Sequence, residues 1–380
     1  MRFLFAYGYS TGATPYYYER ALKEVAEVIT CGPSSDRGKK HDIPCSKNAD
    51  ILPIIKNTKP DYFLLFPEAN LFLPDNIEKI TIPKILLLSD IFLNFNWQKY
   101  YAQLFDIVFV AQREYVEKLK EKGVNAYWLP HACDPKIHRD FHLPRTYDIS
   151  FVGTLNYWHN PQRSFYLNNL QKHFKLEIFT NAWFEEAAKI YSQSKIVFNI
   201  SRDKDLGARY FEAMSCGSLL LTDLLGKNLN NLFVPGTHFV AYSSMAEAIK
   251  LTDYYLKENK KRETIAKRGQ KEVLKKHTYL NRVRFMLQII SKYSFYSPSY
   301  SSKFDNLYKT YLYLNNPLFG LAKARKRHSF SLEGLICRLP VKLRIKVVSI
   351  LTRMNWVWIN RIIRWGYYLF RLKLEQVMTK

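Results

Sequence analysis

Through the first third of the chain, short apolar runs alternate with longer stretches in which apolar positions recur every three or four residues. Runs of strand length fall at residues 2–7, 27–31, 61–66, 84–89, 106–111 and 126–129. Helical spacing lies between them at 17–26, 48–57 and 113–122, the last stopped by Gly123, as a glycine just past a helix end does. Strands alternating with helices predict a parallel sheet wound on both faces. Between residues 130 and 145, Pro130, Pro135 and Pro144 break any regular element, which predicts a domain boundary. The alternation then restarts. A strand at 147–152 leads to a helix opened by Asn160 and Pro161, a strand at 176–180, a helix at 184–192 and a strand at 195–200. A helix at 208–216, ended by Gly217, and a strand at 218–222 follow. The predicted fold class is therefore α/β, with Rossmann-like domains at 1–140 and 146–293, a Ser-, Tyr- and Pro-rich linker at 294–302, and an appendage at 303–380.

Length agrees with this division, because 380 residues exceed what a single hydrophobic core usually supports. A hydrophobic content of 47% excludes a disordered chain, and no apolar run approaches the roughly 18 residues of a membrane-spanning helix. The opening segment Met1 to Tyr7 is too short and too lightly charged for a secretory signal, which predicts a cytoplasmic protein. Cys31, Cys45, Cys133, Cys216 and Cys337 show no C-x-x-C spacing and predict reduced thiols. Charge changes the picture more. From Leu321 to Lys380 fourteen Lys and Arg face only Glu333 and Glu375, a net +12 and half of the chain's +24. Within it Leu343, Ile345, Trp356, Trp358 and Trp365 are interleaved with Arg and Lys, as in a helix lying on a membrane surface. Three occupants fit this segment: the anionic inner face of a membrane, the protein's own domains with the cations left in solvent, or nucleic acid.

Candidate chemistry concentrates in SKIVFNISRDKDLGARYFEAMSCGSLLLTD, residues 194–223. A polar loop after a strand is followed there by a short helix, whose free N–H groups and dipole can face a diphosphate. Arg209 and Glu212 are three apart and share a helix face. Arg is suited to forked recognition of phosphate, and a carboxylate can accept both hydroxyls of a ribose. An ordinary helix ion pair is the alternative for these two side chains. Asp203 and Asp205 form the D-x-D string of the chain, and neither it nor any cluster predicts a metal site.

The R-x-x-FEAMSCG-x-LLLTD string, with SKIVFNIS before it and LFVPGTHFVAYSS after it, resembles the donor-binding region of GT-B glycosyltransferases. The likeness is particularly to the CgeB-like spore-maturation group and the glycosyltransferase family 1-like proteins. It runs from about Tyr147 to His277 and takes in FVGTLNYWHNPQR and IAKRGQKEVLKKHTY. The resemblance implies two Rossmann-like domains facing a cleft, with Glu212 holding the ribose of a nucleotide sugar and Arg209 its diphosphate. It also implies a close backbone approach at Gly153 and a second phosphate contact from Arg163. No resident cofactor is implied, the nucleotide-diphosphate sugar being a co-substrate. Related retaining enzymes often carry an acid eight positions before the helix glutamate, where this chain has Lys204, so the anomeric outcome stays open. The base that deprotonates an acceptor would come from the ends of the first domain's strands. Asp90, His131 and Glu68 are the candidates, and the loop GYSTGATP at 8–15 would wrap the acceptor. The acceptor expected is a saccharide, a lipid-linked saccharide or a protein. A nucleotide-sugar epimerase and a nucleic-acid-binding protein are the alternatives, the second opposed by the absence of a nucleic-acid motif.

Overall fold

The structure, a computed structural model, describes residues 1–9, 14–33, 41–46, 49–67, 72–155, 161–201, 206–223, 232–293 and 295. The predicted appendage at 303–380, Gly12, Glu68, Asn160 and Asp203 to Asp205 lie outside the described residues.

Two parallel sheets make up the described chain. The first takes β1 (Arg2–Tyr7), β2 (Glu27–Gly32), β3 (Ile43–Pro44), β4 (Tyr62–Phe66), β5 (Lys84–Leu88), β6 (Ile107–Val110) and β7 (Ala126–Trp128). Its strand order is β3-β2-β1-β4-β5-β6-β7, every pairing parallel. The connecting helices are α1 (Thr14–Lys23), α2 (Ile51–Thr58), α3 (Ile91–Tyr101) and α4 (Glu114–Lys120). β1 and β5 are apolar almost throughout because both faces of the sheet are covered, and Phe3, Leu4, Phe5, Ile85 and Leu86 are fully buried. α1 starts earlier than the apolar spacing predicts, since Pro15 stands in its first turn, where a missing N–H costs nothing.

The second sheet has the order β12-β11-β10-β8-β9. It comprises β8 (Tyr147–Val152), β9 (Leu176–Phe179), β10 (Ser194–Asn199), β11 (Leu219–Asp223) and β12 (Val240–Tyr242). Around it lie α5 (Pro161–Gln171), α6 (Phe184–Ser192), α7 (Arg209–Ser215), α8 (Met245–Lys257) and α9 (Asn259–Lys276). The last helix, α10 (Tyr279–Lys292), follows the second sheet in sequence but packs on the first. Its stripe Tyr279, Val283, Met286 and Ile290 is buried among Phe3, Phe5, Leu64 and Ile85.

The chain therefore crosses between sheets twice, and the crossings are bound together. Cys133 N–H donates to His277 O at 3.1 Å and Tyr279 N–H to Cys133 O at 2.9 Å. Arg282, buried on α10, donates to Pro130 O at 2.9 Å and His131 O at 3.1 Å and meets His277 Nδ1 at 3.1 Å. Among the described residues no helix is long and apolar enough to cross a membrane.

Candidate functional site

Winding of the second sheet reverses beside its first strand: β9 lies on one side of β8 and β10 on the other. At such a point the loops leaving the two strands diverge and open a crevice at their carboxyl ends. Gly153 follows β8 and Ser201 lies just beyond β10. The crevice holds a cleft of about 280 Å³, and Tyr17, Asp90, His138, Gly153, Trp183 and Glu212 are among its lining residues. Arg163 and Arg209 also reach it.

Helix α7 carries Arg209 and Glu212, and its far end is firmly held. The carbonyls of Cys216 and Gly217 accept from Arg145 Nη2 at 3.3 and 3.0 Å, and Ser215 O accepts from Gln270 Nε2 at 3.0 Å. These bonds satisfy carbonyls that a helix end leaves bare. Arg209 Nη1 donates to Asn199 Oδ1 at 2.5 Å, and Asn199 is fixed in turn by Nδ2 donating to Thr222 Oγ1 at 2.9 Å. The Arg209 guanidinium lies 4.8 Å from the centre of the Phe151 ring and that of Arg163 5.3 Å from it. One aromatic ring at the end of β8 thus orients two cations. Buried Arg209 Nε has no partner among the described residues, a donor that a bound oxyanion would satisfy.

Gly153 closes this corner. Its φ of 152° is strained for any L side chain, and a Cβ there would stand 2.2 Å from Arg209 Nη2. Backbone and guanidinium meet so closely that any side chain at this position would push the Arg209 guanidinium aside. Glu212 faces the interior of the cleft with 16% of its side chain exposed, and His138 Nε2 is 3.6 Å from its Oε1. Across the cleft Asp90, exposed, follows β5 in the left-handed region at φ 49° and makes no capping hydrogen bond at the start of α3. Asp tolerates this conformation better than most residues, yet the backbone there is strained.

The structure thus gathers Asp90, Gly153, Arg163, Arg209 and Glu212 at one cleft and sets His131 elsewhere. His131 lines a separate cavity of only about 10 Å³ with Tyr18, Phe66, Ser89 and Phe109. Burial lowers its proton affinity, and the nearby Asp90 carboxylate opposes that effect. Residues that the sequence did not single out complete the cleft. Asn199 orients Arg209, Tyr17 enters from α1, and Ser201 is fixed by its N–H donating to Asp223 Oδ1 at 2.8 Å. His138, in the segment after Pro130, belongs to this group too. Lying next to the predicted boundary between the sheets was the signal it offered.

Residues 162–288 match the family model described as "Glycosyl transferase-like". A glycosyltransferase from Rickettsia africae ESF-5 superposes with a TM-score of 0.58 at 13% identity, over 77% of this chain and 99% of that one. HepE from Anabaena in complex with UDP gives a TM-score of 0.56 at 12% identity, over 77% and 100%. The fold is that of the GT-B glycosyltransferases. A Listeria monocytogenes chain named as a candidate UDP-N-acetylglucosamine 2-epimerase shares it, with a TM-score of 0.51 at 13% identity over 76% and 96%. No curated protein matches the chain in sequence. In this GT-B fold the matched residues carry α5, α6 and α7, and with them both cleft arginines.

Proposed function

We propose that the protein transfers a sugar from a nucleoside-diphosphate sugar to a hydroxyl acceptor. The observation that carries this is the pairing of two guanidiniums over Phe151 beside Gly153, with a buried unsatisfied N–H on Arg209 and a carboxylate in the same cleft. Two fixed cations suit the oxygens of a diphosphate, and the UDP that HepE holds supports the same class of ligand here. Glu212 accepts the ribose hydroxyls, and Gly153 leaves room for the Arg209 guanidinium that meets the diphosphate. Trp183 offers a flat face for the base.

For transfer, the Asp90 carboxylate takes the proton of the acceptor hydroxyl as its oxygen attacks the anomeric carbon. The bond from that carbon to the donor oxygen breaks, and the nucleoside diphosphate departs with the electron pair. Arg209 and Arg163 stabilise the charge that develops on it. Neither a metal nor a resident cofactor takes part. His131, buried outside the cleft, would act through the nearby Asp90 carboxylate and not on the acceptor itself. The acceptor is a surface polysaccharide, a lipid-linked saccharide or a glycoprotein, and the basic segment 303–380 meets an anionic membrane. Affinity with the CgeB-like group belongs to this proposal.

Calorimetric titration of the purified protein with UDP-, GDP-, dTDP- and CMP-sugars tests it. Saturable binding of one nucleotide class is expected, weakened at least about tenfold, or ~1.4 kcal/mol, in Glu212→Ala. Silence across the panel from a folded protein would sink the assignment. The Listeria neighbour favours a second reading, epimerisation of the nucleotide sugar. Conversion of the donor without any acceptor would choose it.

A further inference from the structure

Glu212 touches a side chain that the transfer reaction does not itself require. His138 is 1% exposed, and its Nδ1 accepts from the Asp134 N–H at 3.3 Å. In the neutral ring the proton must then sit on Nε2. Burial keeps the ring neutral by lowering its proton affinity, with Glu212 opposing. Nε2 lies 3.6 Å from Glu212 Oε1 and 3.4 Å from the Tyr17 hydroxyl oxygen. Three parts of the fold therefore meet at one nitrogen: α7 of the second sheet, the first crossing, and α1 of the first sheet.

Tyr17 is also fixed from other sides. Its ring stacks on Tyr279 at 5.2 Å between centroids and meets Phe184 of α6 edge-on at 5.9 Å. Phe184 touches Tyr16 as well, at 5.5 Å. One turn further along α1, Arg20 Nε donates to Asp134 Oδ2 at 2.7 Å, so the residue that fixes the His138 tautomer also holds α1. An electrostatic change at Glu212 has a short, packed route to α1 through groups of defined orientation.

We propose that His138 is a positioning residue: its Nε2–H, 3.4 Å from the Tyr17 hydroxyl and 3.6 Å from the Glu212 carboxylate, couples the two groups by contact and electrostatics, so that filling the nucleotide site orders helix α1. This inference rests on the assignment of the ribose to Glu212. A ribose hydroxyl that engages Glu212 fixes the carboxylate, the imidazole follows it, and Tyr17 with α1 is held against the second sheet. α1 carries Tyr17, itself a lining residue of the cleft, so an acceptor meets a formed surface only after the donor is bound.

Hydrogen exchange read by mass spectrometry, with UDP, GDP or dTDP as the probe, separates the possibilities. In the wild-type protein the diphosphate that binds is expected to slow exchange both around α7 and, at least about threefold, in α1. In His138→Phe and in the milder Tyr17→Phe the slowing around α7 should remain and that in α1 should vanish. His138→Gln, which keeps a donor in the same region, should restore part of it, as a merely space-filling role would not. Protection of α1 that survives in both Phe variants overturns the proposal while leaving the nucleotide site intact. If no diphosphate slows exchange around α7 in the wild-type protein, the nucleotide site itself is wrong and the proposal falls with it.

Discussion

Both sheets reverse their winding beside their first strand, β1 between β2 and β4, β8 between β9 and β10, yet the two crevices this creates are furnished in opposite ways. Among the described residues near the first, Tyr18, Phe66, Phe109 and His131 line a cavity of only about 10 Å³. At the second, Gly153 removes a side chain and Arg163 and Arg209 stand back against Phe151, leaving about 280 Å³. Winding decides where a crevice can form, and the residues at the strand ends decide whether it is a core or a site. Asp90 is the exception that joins them, a first-sheet residue that reaches the second sheet's cleft.

That exception gives the largest expected effect. Asp90→Asn should lower turnover by roughly 100- to 10,000-fold while the calorimetric affinity for the nucleotide stays within about twofold. Equal loss of both would place Asp90 on the donor side. Next comes the cationic corner. Arg209→Ala should weaken diphosphate binding about 100-fold, or ~3 kcal/mol, and Arg209→Lys should recover little, because an ammonium lacks the fork.

The crossings that connect the crevices carry a pH signature. Burial, and then the Arg282 guanidinium, lower the His277 pKa to about 4. The unfolded chain, with an ordinary histidine near 6.5, therefore binds the extra proton first as pH falls. Stability should drop from about pH 6.5 towards pH 4 by as much as ~1.4 kcal/mol per unit. Urea unfolding of the wild-type protein and His277→Gln, compared across that range, reads the difference. A slope unchanged by the substitution would remove His277 from the account. Gly153→Ala should cost about 1–3 kcal/mol through its backbone conformation and displace Arg209, lowering melting temperature and nucleotide affinity together. The smallest effect belongs to Arg163→Ala. Its guanidinium is partly occupied by Thr154 O at 2.7 Å, and its loss should weaken binding by about tenfold or less.

Much of the fold was legible because burial on both faces writes a strand as an uninterrupted apolar run. The strand at 147–152 and the helix at 184–192 coincide with β8 and α6. Helix α3 was not, since Ile91, Phe92, Phe95 and Tyr101 are mixed with polar residues without a clear stripe. α10 shows its stripe plainly, but a stripe says that a face is buried and not which sheet buries it. In the site, Arg209 and Glu212 could be read together because one helix turn joins them. Tyr17 and His138 lie 121 residues apart, and only the packing of α1 against the first crossing brings them into contact. The left-handed backbone at Asp90 was likewise beyond reach, as nothing in the sequence separates an aspartate that takes this conformation from one that does not.

The doubled crossing also has an architectural consequence. Because α10 returns to the first sheet, the second sheet hangs from it as an insert whose ends, Cys133 and Thr278, are adjacent in an isolated parallel bridge. Modules attached at neighbouring points can be exchanged without reconnecting distant ends. The segment between the crossings is thus a natural cassette for chimeras, in which one protein's second sheet is spliced onto another's first sheet.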